Sequence, residues 1–210
     1  MKKCYIITSY IEGRLPGIIS PGGSDIIICA DGGFNAAMSF GLTPDVVIGD
    51  FDSGDFTGLA DCGAGTIHYP REKDESDTFL CLKYAINAGY DEITVVGGIG
   101  GRLDHTVANI QTLAYFASPC ISVTMLDERN AFTVIENSAV TIKKREGYVI
   151  SLFSLSDKCK GVATAGLNYP LDDAELTNLY PVGLSNEFSS DEAEIKVRQG
   201  KLLIVMSKIN

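Results

Sequence analysis

Aspartates that end or adjoin apolar runs carry most of the chemistry in this sequence. Asp31 follows DIIICA, and Asp50 and Asp52 close DVVIGDFD; Asp74 and Asp77 stand in KDESD. In extended backbone Asp50 and Asp52, spaced i and i+2, would point the same way about 6.6 Å apart. Carboxylates so placed repel unless a cation lies between them, and Mg²⁺ suits such hard oxygen ligands, keeping waters and being completed by substrate phosphates. A solvated acidic turn would have the same spacing. Asp31, Asp74 and Asp77 at neighbouring strand ends favour the metal. Asp74 and Asp77 also bracket a helix start, where either can cap the helix or complement its dipole. Lys73 beside them is a phosphate contact or a partner for the acids.

GGIGGRLDH (97–105) is the second concentration, with Gly97, Gly98, Gly100 and Gly101 within five positions. Glycines let backbone N–H groups come close to an anion, and the helix after them aims its positive end there. Arg102 offers a two-pronged fork for phosphate oxygens. Asp104 can cap the helix or hold the metal, and His105 fits a structural place in a first helical turn better than a general base. Leu103 stands where a dinucleotide fingerprint needs its third glycine, and no G-x-x-x-x-G-K-[ST] occurs. His68 forms no recognisable triad.

These groups need a scaffold, and the chain supplies one in two textures. Over roughly the first 126 residues, CYIIT (4–8), DIIICA (25–30), DVVIGD (45–50) and EITVVGG (92–98) read as buried parallel strands. Helical patterns lie between them: 33–41 closed by Gly41, 74–89 stopped by Gly89, and about 105–117. Strands alternating with helices predict an α/β N-terminal domain with a mainly parallel sheet (1–126), its ligands beyond the strands' carboxyl ends. From about Leu126 onward TVIE, AVTIKK, YVISLFS, AEIKVRQG and KLLIVMS read as strands without helical period. A smaller all-β sandwich domain (127–210), or a small antiparallel barrel, is expected, with Gln199-Gly200 as a hairpin turn.

Composition bounds the function. The chain has 210 residues, enough to bury a real core, and its 17 basic and 27 acidic residues give a net charge of −10. That balance argues against a nucleic-acid partner. It would also repel a phosphorylated substrate, a difficulty that a carboxylate-held divalent cation removes. No apolar run approaches the ~18 residues of a membrane span. The start, Met1-Lys2-Lys3-CYIIT, has too short an apolar run for a signal peptide, and Glu12 and Arg14 interrupt the residues after it. The six cysteines have no C-x-x-C spacing. Cys4, Cys29 and Cys81 read as small buried hydrophobes, and a reducing cytoplasm is the expected compartment.

ADGGFN (30–35), PDVVIGDFDS (44–53), KDESDT (73–78) and GGRLDHTVANI (100–110) closely resemble, in order, the signature segments of thiamine pyrophosphokinases. GLNYPL (166–171) and GLSNEF (183–188) resemble that family's C-terminal motifs. The resemblance implies a homodimer that moves the pyrophosphoryl group of ATP to thiamine with Mg²⁺, giving thiamine diphosphate and AMP. It implies Mg²⁺ on Asp50 and Asp52 with Asp74 or Asp77 nearby, and ATP phosphates near Asp31, Gly32, Lys73, Gly100, Arg102 and Asp104. Ser185 and Asn186 match the segment that helps form the thiamine pocket. The family's K-D-x-T-D has Ser76 here in place of Thr, which keeps the hydroxyl. The chain has no Trp to stack on the vitamin, so Tyr169, Tyr180 or Phe188 would have to supply any stacking. The proton of the attacking hydroxyl could go to Asp74, Asp77 or Asp104. A different metal-dependent phosphotransferase or phosphohydrolase and a non-catalytic thiamine or nucleotide sensor are the alternatives.

Overall fold

The structure, a computed structural model, describes residues 3–12, 19–52 and 56–209. Arg14 and Ser53 lie outside the described residues. The chain divides into two compact units, Met1–Thr112 with Val123–Glu128, and Leu113–Ser122 with Arg129–Asn210.

In chain order the elements from the N-terminus are β1 (Cys4–Ile7), β2 (Ile26–Ala30), α1 (Gly33–Ser39), β3 (Val46–Gly49), α2 (Leu59–Cys62), β4 (Gly65–His68), α3 (Asp77–Asn87), β5 (Glu92–Val96), α4 (Leu103–Phe116) and β6 (Ser122–Leu126). β1 pairs in parallel with β2 and β5, β2 with β3, and β3 with β4. Every residue of β1 is buried, as befits a strand covered on both faces. The order β6-β5-β1-β2-β3-β4 takes the chain outward from β1 to β4 and then back to the opposite side of β1. That reversal makes the β1/β5 boundary the switch point, where a crevice opens beyond the strands' carboxyl ends.

α3 packs on β1, β2 and β3, burying Leu80, Cys81, Leu82 and Ala85. The helix expected over 74–89 is shorter because Ser76 caps it, its Oγ accepting the Phe79 N–H at 3.2 Å. Neither Asp74 nor Asp77 is the cap. α1 ends before Gly41, whose φ of +71° is the left-handed conformation a helix stop requires. α4 starts at Leu103, so Asp104 lies in its first turn. Cys4, Cys29 and Cys81 are fully buried, and burial pushes the Cys4 and Cys29 thiols up to about 12.

The second unit is built from β7 (Asn130–Glu136), β8 (Ala139–Lys143), β9 (Tyr148–Ser154), β10 (Lys158–Ala165), β11 (Ala174–Thr177), β12 (Gly183–Asn186), β13 (Glu192–Lys196) and β14 (Lys201–Lys208). Its strands run β12-β9-β14-β7 and β11-β10-β13-β8, with every pair antiparallel. Ile150, Leu152, Leu202 and Ile204 from the first row share one core with Cys159, Val162, Ala193 and Ile195 from the second. The hairpin expected at Gln199-Gly200 is not formed. β13 pairs with β8 and β10, and β14 with β7 and β9, so this turn carries the chain from one sheet to the other. Gly200 has φ +108°, and a Cβ there would come within 2.9 Å of the Lys158 carbonyl oxygen.

Candidate active site

Asp31 follows β2 with φ +45°, which turns its side chain across the exit of β3. Its N–H donates to the Ile48 carbonyl at 2.8 Å, and its Oδ1 accepts the Phe51 N–H at 3.1 Å. A Cβ on Gly49 would fall 2.8 Å from the Asp31 Cβ, so glycine leaves the room this crossing needs. Gly32, next in the chain, packs on Ser9.

The backbone from Asp50 to Asp52 is not extended. Phe51 has φ +59°, and its ring is held 5.0 Å from Phe56 and 5.4 Å from His68. The expected strand-like alternation therefore gives way to a turn, in which the Asp52 N–H donates to Asp50 Oδ1 at 3.2 Å. Asp52 itself is paired with Arg71 Nε at 3.1 Å. Burial pushes the Asp50 carboxyl up, but the Asp52 N–H and the Lys73 ammonium outweigh it and hold it below the ordinary carboxylate range.

Lys73 joins two of the predicted metal ligands. Its Nζ lies 3.5 Å from Asp50 Oδ2 and 3.1 Å from Asp77 Oδ1. Burial would lower the ammonium pKa, yet the two carboxylates raise it above the usual lysine value. Asp77, in the first turn of α3, is shifted up, chiefly by burial that Lys73 only partly offsets. Asp74 is exposed and is not among the residues that line the cleft.

The glycine loop does something other than expected. The N–H of Gly97 donates to the Leu126 carbonyl and that of Gly98 to the Tyr10 carbonyl, and that of Gly100 to Thr106 Oγ1 at 3.0 Å. These three amides are engaged within the protein, so they do not cradle an anion here. The glycines instead admit close neighbours: a Cβ on Gly97 would meet Thr8 Oγ1 at 2.6 Å, and one on Gly101 the Tyr10 ring at 2.7 Å. Arg102 grips Asp104 with both prongs, Nε to Oδ1 at 3.2 Å and Nη2 to Oδ2 at 2.5 Å. That is the geometry it would give a phosphate, with the carboxylate in the phosphate's place. Asp104 also accepts the His105 N–H at 3.0 Å, and the Arg102 fork holds its carboxyl below the usual range.

Within this first unit, Asp31, Lys73, Asp77, Gly100, Arg102 and His105 line a cleft of about 450 Å³. It sits at the switch point, bounded also by Thr8, Ser9 and Tyr10 after β1 and by Asn109 of α4. Those four and Arg71 are lining residues not picked out from sequence. Thr8 fixes the β1 exit through Oγ1, which donates to the Val96 carbonyl at 3.0 Å, and Asn109 Nδ2 donates to the Gly98 carbonyl at 2.8 Å. Their signal was positional: Thr8 and Ser9 follow an apolar run just as Asp31 does.

Ser185 and Asn186 lie in the second unit, on β12. Ser185 has φ +57°, a costly conformation for a residue with a side chain, and donates its N–H to Ser151 Oγ at 2.9 Å. Asn186 clamps Tyr169, accepting its N–H at 3.1 Å and donating Nδ2 to its carbonyl at 2.8 Å. GLSNEF and GLNYPL are thus tied together through the Asn186 side chain, and also through backbone, where the Asn168 N–H donates to the Glu187 carbonyl at 2.9 Å. Phe188 belongs to the core, whereas Tyr169 and Tyr180 are 75% and 70% exposed.

Among the described residues no three His, Cys, Asp or Glu side chains are gathered closely enough to make a metal site unaided. The donors present nevertheless fit Mg²⁺. Asp77 Oδ1 is buried and accepts no hydrogen bond, the Lys73 ammonium beside it being an ion-pair contact out of line for one. Two hard-oxygen carboxylates, Asp50 and Asp77, already converge on a cation; Asp77 lines the cleft, where phosphate oxygens have room to complete the sphere, whereas Asp50, Asp52, Gly32 and Asp104 are not among its lining residues.

A parallel α/β unit that brings carboxylates, basic side chains and a helix start together at its switch point defines a nucleotide-handling phosphotransferase. The chain belongs to the thiamine pyrophosphokinase family. Residues 22–125 match the model of the thiamin pyrophosphokinase catalytic domain, and residues 138–202 that of the thiamin pyrophosphokinase vitamin B1 binding domain. It is 28% identical to the thiamine pyrophosphokinase of Bacillus subtilis over 184 residues, 86% of each chain. The crystal structure of a thiamine pyrophosphokinase from Bacillus subtilis superposes with a TM-score of 0.87 at 25% identity, covering 99% of both chains. The thiamin pyrophosphokinase of Candida albicans shares the fold, with a TM-score of 0.81 at 20% identity over 99% of this chain and 89% of that one.

Proposed function

We propose that the chain transfers the pyrophosphoryl group of ATP to the hydroxyl of thiamine, releasing AMP, with Mg²⁺ held by Asp50, Asp52 and Asp77 and with Asp74 at the margin. The observation that carries this is the switch-point cleft, in which Asp31, Asp77, Lys73 and Arg102 offer both signs of charge to a metal–nucleotide. Pyrophosphoryl transfer asks for positioning and charge neutralisation more than for covalent catalysis. Lys73 and Arg102 steady phosphate oxygens, with Arg71 at the rim. Asp31 keeps the β3 exit, and with it Asp50, in place. Gly32 and Gly100 allow backbone to close on the nucleotide side of the cleft. Asp104 holds Arg102 in its fork geometry until a phosphate replaces it. The bound metal would neutralise phosphate charge and align the transferred group.

Residues 1–126 form the nucleotide-binding catalytic domain in this reading, and 127–210 a β-sandwich for thiamine binding and dimerisation. Ser185 and Asn186 shape the vitamin pocket, with Tyr169 or Tyr180 the exposed rings available to stack. Homodimerisation is supported by an apolar strip of Leu179, Tyr180, Val182 and Leu184 on and before the edge strand β12, each more than half exposed. The six cysteines are all free thiols, which suits the cytoplasm, and among the described residues no helix is long and apolar enough to cross a membrane. The test is an assay of purified protein with ATP, Mg²⁺ and thiamine. Thiamine diphosphate and AMP are expected to accumulate together and to stop with EDTA; ADP in their place, or nucleotide breakdown indifferent to thiamine, would contradict the proposal.

A further inference from the structure

Lys73 stands where a metal held by Asp50 and Asp77 would stand. Its ammonium lies 3.5 Å from one carboxylate and 3.1 Å from the other, and the side chains of Lys73 and Asp50 are only 11% and 14% exposed. Asp50 comes from the end of β3, Asp77 from the first turn of α3, and Lys73 from the segment entering α3. One cation therefore fastens two elements whose acids would otherwise repel each other across a partly dehydrated gap. Mg²⁺ binds oxygens at about 2.0–2.1 Å, so the metal and the ammonium cannot occupy this gap together.

Two other acids beside the cleft show the same arrangement. Asp52 is paired with Arg71 and Asp104 with Arg102, and all three basic side chains also line the cleft. Each base thus has a carboxylate to hold now and open cleft in which to meet an anion later.

We propose that Lys73 is a resident counter-ion that competes with the metal for Asp50 and Asp77. It holds the two carboxylates in register before substrate arrives, and the incoming metal displaces its ammonium into the cleft, where phosphate oxygens receive it. The same side chain is then a placeholder before binding and a phosphate contact after it. This rests on the Mg²⁺-dependent transfer proposed above, and it concerns a positioning role distinct from the chemistry.

Mn²⁺ binding to nucleotide-free protein, read by electron paramagnetic resonance, tests it without turnover. Lys73→Met removes the competitor and should tighten Mn²⁺ by about tenfold or more, whereas Lys73→Arg keeps the charge and should stay within about threefold of wild type. A second measurement needs no variant. The Lys73 amine should react slowly with an acylating reagent in metal-free protein and at least about fivefold faster at saturating Mn²⁺, followed by peptide mass spectrometry. Unchanged or weaker Mn²⁺ binding in a folded Lys73→Met, or labelling that ignores the metal, would overturn the counter-ion role even in an enzyme that makes thiamine diphosphate. Tighter binding and metal-released labelling in a chain that makes none would uphold the counter-ion role and overturn the functional reading alone.

Discussion

Asp77 carries two opposed demands. Its carboxyl is half-buried at a helix start, where burial raises its pKa above the ordinary 3.8, yet the metal-holding role proposed for it needs it ionised beside Lys73. A carboxyl raised in the folded state binds its proton more tightly there than in the unfolded chain. Ionising it therefore costs stability as pH rises through 3.8, and the cost is complete above the folded value. Asp77→Asn should accordingly be at least as stable as wild type at pH 7, with the difference vanishing near pH 3, while turnover falls by at least about 100-fold. Thermal melts at both pH values and the product assay check this; a variant less stable than wild type at pH 7 alone would contradict it. Residue types announced this site better than residue geometry did. Asp50 and Asp52 were conspicuous in sequence, but the turn that joins them depends on a left-handed Phe51 wedged between Phe56 and His68, a tertiary arrangement that i, i+2 spacing does not encode. The glycine loop does line the cleft at Gly98 and Gly100, but its glycines are ambiguous as a signal, because the tight packing of Tyr10 and Thr8 calls for glycine as strongly as an anion does.

Elements buried on both faces were legible, and edges were not. β1, β2, β3 and β5 are short runs rich in Ile and Val, and α3 shows its helical period between Ser76 and Gly89. β4 (GTIH) and β12 (GLSN) are short edge strands with mostly partial or full exposure, so neither has the alternation or apolar run that betrays a strand. The Gln199-Gly200 turn sits between an alternating segment and a continuous apolar one, a pattern shared by a hairpin and by a crossing between sheets. β12 also carries a prediction. Leu184 is 62% exposed on this edge strand, so Leu184→Asp should leave each protomer folded and convert a dimer to a monomer in light scattering at micromolar concentration. A wild-type chain that is already monomeric would contradict dimerisation through this strand, as would a variant that stays dimeric.

At the scale of the whole molecule, a chain of net charge −10 has to accept a polyanionic nucleotide. The means are local rather than a matter of overall balance: Lys73, Arg71 and Arg102 are set among the acids they neutralise, and in the proposed exchange a divalent cation takes the ammonium's place between the carboxylates. Thiamine, a cation, meets the favourable sign of the overall field. The most direct test of this account tracks the phosphorus atoms themselves. With ATP labelled separately at the α- and β-phosphorus, Mg²⁺ and thiamine, the β label should arrive wholly in thiamine diphosphate and the α label wholly in AMP. A β label that remains on adenosine as ADP, or leaves as inorganic phosphate or pyrophosphate without thiamine, would contradict it.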